Sequence, residues 1–161
     1  MARRLRPVGL EFLKTAPVRL VFAREVFAPA RTVYAALADD VEGWPEWFTA
    51  VTSAGPVDGG RGRVVRLRGG TRFRETILAA EPPRTYAYRV DVTNAPGLRA
   101  LVEEWSLSPL TDTSTRVRWT FAAEAVAPLR LALTYGRRGL DRSFTTAVTN
   151  LDRRLARKDA S

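Results

Sequence analysis

The chain has 161 residues, a length that suits one domain with a core and a modest cavity, and a net charge of +9 from 26 Lys and Arg against 17 Asp and Glu. With neither cysteine nor histidine present, disulfides, thiolate nucleophiles, zinc ribbons, iron–sulfur ligation, Ser-His-Asp triads and HExxH sites are excluded. No apolar run approaches the roughly 18–20 residues of a membrane span, and no GxGxxG or Walker-type loop offers a phosphate cradle.

Of the basic residues only Lys14 and Lys158 are lysines, and the arginines are spread along the whole chain. Two readings stay open: solvated strand and helix faces, or attraction to an anionic partner. The basic Met1–Pro7 stretch is not followed by a signal-type apolar segment, so the expected location is cytoplasmic.

Residues 1–16 read as a loosely attached lead-in, with Leu10, Phe12 and Leu13 able to dock on the body. Residues 17–157 read as one domain and 158–161 as a tail. Val18–Phe27 is rich in β-branched and aromatic residues and reads as a strand. Ala28-Pro29-Ala30 opens a short helix carrying Val33, Tyr34, Leu37 and Ala38, which ends near Asp39-Asp40. Trp44, Trp47, Phe48 and Val51 then fall on one face of a second short helix. Strands follow at 50–54, 62–68, 71–80, 84–93, 100–108 and 115–124, separated by Gly, Pro and Asn turns. After Pro128, Leu129, Leu133, Leu140, Phe144, Val148, Leu151 and Leu155 form one helical stripe. Gly136 and Gly139 interrupt it, as a break, a close contact, or room left above the sheet.

The Gly69-Gly70 turn sets the register. A three-residue loop separates apolar from charged residues better than a two-residue one. It turns Arg63, Val65, Leu67, Phe73, Glu75 and Ile77 inward and leaves Arg66, Arg68, Arg72 and Arg74 outside. The same alternation sends Tyr86, Tyr88 and Val90, then Glu103, Trp105 and Leu107, then Val117, Trp119 and Phe121 to the inner face. That face is aromatic with three ionisable intruders, Arg63, Glu75 and Glu103. Burial without partners is costly for such groups. They read either as a satisfied ion pair or as the polar end of an apolar pocket.

The fold class is therefore α+β: an antiparallel sheet of seven strands, two short helices between strands 1 and 2, and a long C-terminal helix as cover. The strand–Ala-Pro–helix opening, DDVEGWPEWF (39–48), RVVRLRGG (63–70), Glu75, PPRTY (82–86) and TRVRWT (115–120) resemble the polyketide cyclase/dehydrase branch of the START-related (SRPBCC) superfamily. The resemblance spans about residues 17–157. It implies the helix-grip fold, a curved sheet wrapped around the C-terminal helix with a hydrophobic cavity between them. Members bind lipids, sterols, polyketides or hormones, and some act as aromatase/cyclases that hold a poly-β-ketone chain in a bent pose. No iron-partner segment is present, so the ring-hydroxylase branch is not expected.

The first expected function is binding of a small hydrophobic, lipid- or polyketide-like ligand. The expected ligand-binding set is Arg63, Phe73, Glu75, Tyr86, Tyr88, Glu103, Trp105, Trp119 and Tyr135. A cyclase or dehydratase is the alternative, with Glu75 as proton carrier and Arg63 polarising a carbonyl. A second alternative is an interaction module using Arg66, Arg68, Arg72 and Arg74, although that patch lacks the interleaved aromatics of single-strand binders. No cofactor and no metal is expected. A small hydrophobic molecule is expected as partner rather than nucleic acid, and a homodimer stays open.

Overall fold

The computed structural model describes residues Met1–Ser161. The elements are β1 (Arg3–Arg4), α1 (Phe12–Thr15), β2 (Val18–Val26), α2 (Ala30–Tyr34), β3 (Val51–Val57), β4 (Gly62–Leu67), β5 (Arg72–Glu81), β6 (Thr85–Thr93), β7 (Leu98–Thr111), β8 (Ser114–Ala125), α3 (Ala127–Tyr135) and α4 (Arg137–Asp159). A π-type turn, Ala35–Asp39, continues α2, and a 3-10 turn, Val41–Glu46, leads on toward β3. Seven strands form one antiparallel sheet in the order β2-β8-β7-β6-β5-β4-β3. The expected α+β layout is the observed one.

The expected three-residue loop is present. Arg63 sits opposite Glu75 and Val65 opposite Phe73, and the Leu67 N–H donates to the Thr71 carbonyl at 2.8 Å. Gly69 and Gly70 close the loop at φ of 86° and 92°, in the left-handed region that glycine enters without steric cost. Register irregularities between Val51 and Ser53, Arg74 and Glu75, Ile77 and Ala79, and Leu98 and Ala100 bend the strands and curve the sheet.

The lead-in is bound more firmly than its sequence suggests. β1 pairs with Val92 and Thr93 of β6. Beyond it, the Leu5 N–H donates to Asp91 on β6 at 2.8 Å and the Arg6 N–H to Arg99 on β7 at 2.9 Å. The β6–β7 pairing runs only from Thr85–Ser106 to Arg89–Val102, so the lead-in fills the place where these strands part. Val8, Phe12 and Leu13 then cover Ala100, Val102 and Ala122 in a small cluster of their own. Leu10 stays exposed.

Two helical expectations change. The aromatic segment after Gly43 is a 3-10 turn with Pro45 inside it, and Val51 already belongs to β3. This turn is held by α4, whose Asn150 Nδ2 donates to the Trp47 carbonyl at 3.2 Å and whose Arg154 Nη1 donates to the Gly43 carbonyl at 2.8 Å. The C-terminal stripe is split into two helices at Gly136. There the backbone takes φ −81° and ψ 8°, and a Cβ would lie 2.5 Å from the Ala132 carbonyl oxygen. Gly139 faces open space.

The main core lies between the sheet and α4. Phe144, Ala147, Val148, Leu151 and Leu155 are buried at spacings of one helix face. Phe144 packs its ring 5.8 Å from both Trp105 and Trp119 and 6.1 Å from Phe22. Each of the larger of these side chains contributes roughly 1.5–3 kcal/mol by leaving water. In contrast, α3 has no buried residue. It touches the body through half-buried Leu129 and Leu133.

Candidate functional site

Between the sheet and the two C-terminal helices lies a cavity of about 240 Å³, with 16 hydrophobic residues among the 20 that line it. Leu129 and Leu133 of α3 and Leu140 of α4 form one wall. Val65, Leu67, Phe73 and Phe121 form part of the sheet wall, and Trp44 and Phe48 come from the segment before β3. Arg63, Glu75 and Glu103 are its charged lining residues.

The sheet brings the polar residues together by register. Arg63 and Glu75 are direct cross-strand partners on β4 and β5, and Tyr88 and Glu103 are partners on β6 and β7. The irregularity at Arg74–Glu75 falls beside the carboxylate it helps to aim. Arg63 is 2% exposed and Glu75 3%. The Arg63 Nε donates to Glu75 Oε2. The guanidinium carbon lies 3.8 Å from the Tyr88 ring centroid and 4.3 Å from that of Trp44. The Tyr86 ring lies 5.6 Å away, so three aromatic rings supply attraction to a guanidinium that is shielded from solvent. Arg63 Nη1 is buried without a hydrogen-bond partner. Glu103 Oε2 accepts from the Tyr88 hydroxyl at 2.8 Å and from Trp119 Nε1 at 2.9 Å. Trp105 Nε1 donates to the Tyr88 hydroxyl at 3.1 Å.

One cation and two carboxylates therefore share an enclosed space. Burial pushes the Glu75 carboxyl up to about 7. Arg63 opposes that rise and the charge on Glu103 adds to it. Burial also raises Glu103, against the hydrogen bond from Tyr88, the charge of Arg63 and the hydrogen bond from Trp119. Arg63 stays protonated throughout. Near neutral pH Glu75 is therefore part-protonated, while burial also holds Glu103 above the usual carboxylate range.

This fixes the sign of a pH effect. Because Glu75 holds its proton more tightly folded than unfolded, its contribution is fully present below about pH 4.5 and is lost as pH rises through about 7. The wild type is expected to lose roughly 1–3 kcal/mol between pH 5 and pH 8 relative to Glu75→Gln, read from urea midpoints. Parallel pH profiles for the two proteins contradict the shift.

Of the nine residues expected at the site, Arg63, Phe73, Glu75, Tyr88, Glu103 and Trp119 line the cavity. Trp105 is wholly buried and does not line the cavity; it donates to Tyr88 and packs against Trp44 and Trp119. Tyr86 is buried and packs its ring 5.6 Å from the Arg63 guanidinium carbon, but it lines a different hollow. Tyr135 is 83% exposed. It follows Leu133 by two residues, about 200° around the helix, so it lies away from the wall that Leu129 and Leu133 form. Trp44 was not among the expected residues. Its spacing with Trp47 and Phe48 marked a packed face, and nothing local shows that β4 would lay a guanidinium on its ring. The four arginines expected outside are exposed. Arg74 pairs with Asp58 at 2.9 Å and Arg68 Nε donates to the Thr49 carbonyl at 2.6 Å.

Residues 17–156 match the family described as polyketide cyclase/dehydrase and lipid transport. An uncharacterised protein of Mycobacterium tuberculosis is 28% identical over 151 residues, 91% of this chain and 89% of its own. An uncharacterised protein of Mycobacterium bovis has the same identity and coverage. The Zhui aromatase/cyclase of a Streptomyces species superposes with a TM-score of 0.71 at 19% identity, over 88% of this chain and 94% of that one. A START superfamily protein from Mycobacterium smegmatis gives 0.69 at 15% identity, over 86% and 97%. At these identities the solved structures share the fold.

Proposed function

Because this chain belongs to the polyketide cyclase/dehydrase and lipid transport family, we propose that its cavity binds one small apolar molecule bearing a hydrogen-bond acceptor at one end. The observation that carries this reading is Arg63 Nη1, a buried donor without a partner on a residue that lines a mostly apolar cavity. Leaving such a donor unpaired costs about 1–3 kcal/mol, and a carbonyl or hydroxyl oxygen of the ligand would supply the missing bond. The volume of about 240 Å³ is below the roughly 300–1,000 Å³ of drug-sized sites. It suits a one- or two-ring molecule better than a two-chain lipid.

Displacement of Nile red from the purified protein tests this. The ketone 1-acetonaphthone is expected to displace the dye about tenfold more tightly than 1-ethylnaphthalene, a difference of ~1.4 kcal/mol. Arg63→Lys, checked for folding by circular dichroism, is expected to narrow that preference. Failure of both naphthalenes to displace dye, or equal displacement by both, removes the reading.

The titration of Glu75 favours a second reading, a cyclase or dehydratase. A carboxyl pushed up to about 7 exchanges its proton near neutral pH, which suits general acid–base work. Arg63 beside it would polarise a ketone. Glu75→Gln is expected to abolish cyclised product from a synthetic poly-β-ketone thioester while dye binding persists. Unchanged product formation takes Glu75 out of the reaction.

A further inference from the structure

A second hollow, of about 580 Å³, lies beneath α2 and shares no lining residue with the cavity. The turn joining β3 to β4 supplies Gly60, and Pro82 after β5 adds to the rim. Its chemistry is opposite to that of the chain as a whole. In a protein of net charge +9, its 13 lining residues include Asp39, Asp40 and Glu42 and not one Lys or Arg. Asp40 is engaged by Arg154 at 3.0 Å. Asp39 and Glu42 are exposed and form no ion pair.

Two further observations point to a ligand. Tyr34 is 4% exposed, lines this groove, and its hydroxyl has no hydrogen-bond partner in the protein. Burial, then the charge on Asp39, push that hydroxyl up, so it keeps its proton and can both donate and accept. Tyr86 packs edge-on to it at 6.5 Å and also lines the groove. In addition, Asp39 ends the wide turn that continues α2, and the Asp40 N–H donates back five residues to the Ala35 carbonyl at 3.0 Å. Carboxylates at the carbonyl end of a helix are electrostatically misplaced unless a cation faces them. Widened turns of this kind are frequent at functional sites.

We propose that this groove binds a small organic ammonium ion. Its charge would sit against Asp39 and Glu42, its N–H would donate to the Tyr34 hydroxyl, and its apolar body would lie along Tyr86, Ile77 and Pro82. The electron-rich ring faces add attraction for the cation. This site does not depend on the ligand proposed for the cavity.

Titration of the full-length ¹⁵N-labelled protein with phenethylammonium chloride tests it, with 2-phenylethanol as the neutral match. Saturable shifts are expected at the amides of 39–43 and 60–62 for the ammonium only. Asp39→Asn combined with Glu42→Gln is expected to weaken binding at least tenfold, and Tyr34→Phe severalfold. Both carboxylates are exposed, so the double variant keeps its fold, and its dispersed spectrum reports that directly. The proposal is overturned if the alcohol shifts the same amides equally or if the double variant binds unchanged. Shifts centred on Leu67, Ala95 and Leu133, or none up to about 10 mM, which corresponds to a binding free energy of only ~2.7 kcal/mol, also overturn it.

Discussion

Replacing Arg63 by Met lowers stability by about 3–5 kcal/mol at pH 8, the usual cost of stranding a buried charge, and by clearly less at pH 5. Arg63 is the only cation against Glu75 and Glu103 in a space where all three side chains are buried. Without it, the carboxylates must either ionise unpaired or bind protons. Burial already draws both carboxyls upward, so losing Arg63 takes away the main opposing charge at Glu75. At pH 5 the protons are available and the variant folds with a neutral cluster. Its stability therefore falls with pH more steeply than that of the wild type. Adding Glu75→Leu to Arg63→Met is expected to restore much of the loss, because matched removal of both charges is far milder than removal of one. Urea midpoints at the two pH values measure this. A pH-independent loss would mean that the ring contacts of Arg63 with Trp44 and Tyr88, rather than its charge, carry the effect.

Phe144→Ala is expected to cost about 3–5 kcal/mol. Phe144 is fully buried and is the aromatic that α4 sets against Phe22, Trp105 and Trp119. Its removal opens a hole beside Leu140 and Ser143, which already line the cavity. Collapse is resisted because the facing indole rings are themselves hydrogen-bonded to Tyr88 and Glu103. Tyr135→Ala, nine residues earlier on an exposed surface, is expected to stay within about 0.5 kcal/mol. Thermal or urea unfolding of the two variants makes the comparison. Equal losses would mean that α3 contributes as much as α4 to holding the sheet.

Much of this arrangement was legible in the residues themselves. Strict alternation put Arg63, Glu75, Tyr88 and Glu103 on the inner face, because a one-residue slip would have exposed every aromatic partner on that face. The three-residue turn at Arg68-Gly69-Gly70 followed from the same constraint. The rest depends on contacts between distant segments. The sequence of residues 1–16 carries no strand period, since only Arg3 and Arg4 pair and the strands that receive them lie about ninety residues on. The stacking of Trp44 on Arg63 joins a 3-10 turn to a strand, and no local pattern records it. Tyr135 shares a helix with Leu129 and Leu133, but its angular position relative to Leu133 turns it away from the cavity. Gly136 and Gly139 look alike in the chain. Only the backbone shows that the first ends a helix and the second does not.

The break at Gly136 also divides the C-terminal region into two parts of unequal tenacity. Amides within 127–135 belong to a short helix without a buried side chain, so local fraying should expose them to solvent deuterium at little free-energy cost. Amides around Phe144, Val148 and Leu151 sit on the buried face of α4 against the main core and should exchange only when the entire protein unfolds. The part of the cavity wall that carries Leu129 and Leu133 can thus lift on a fast clock while the beam behind it stays in place.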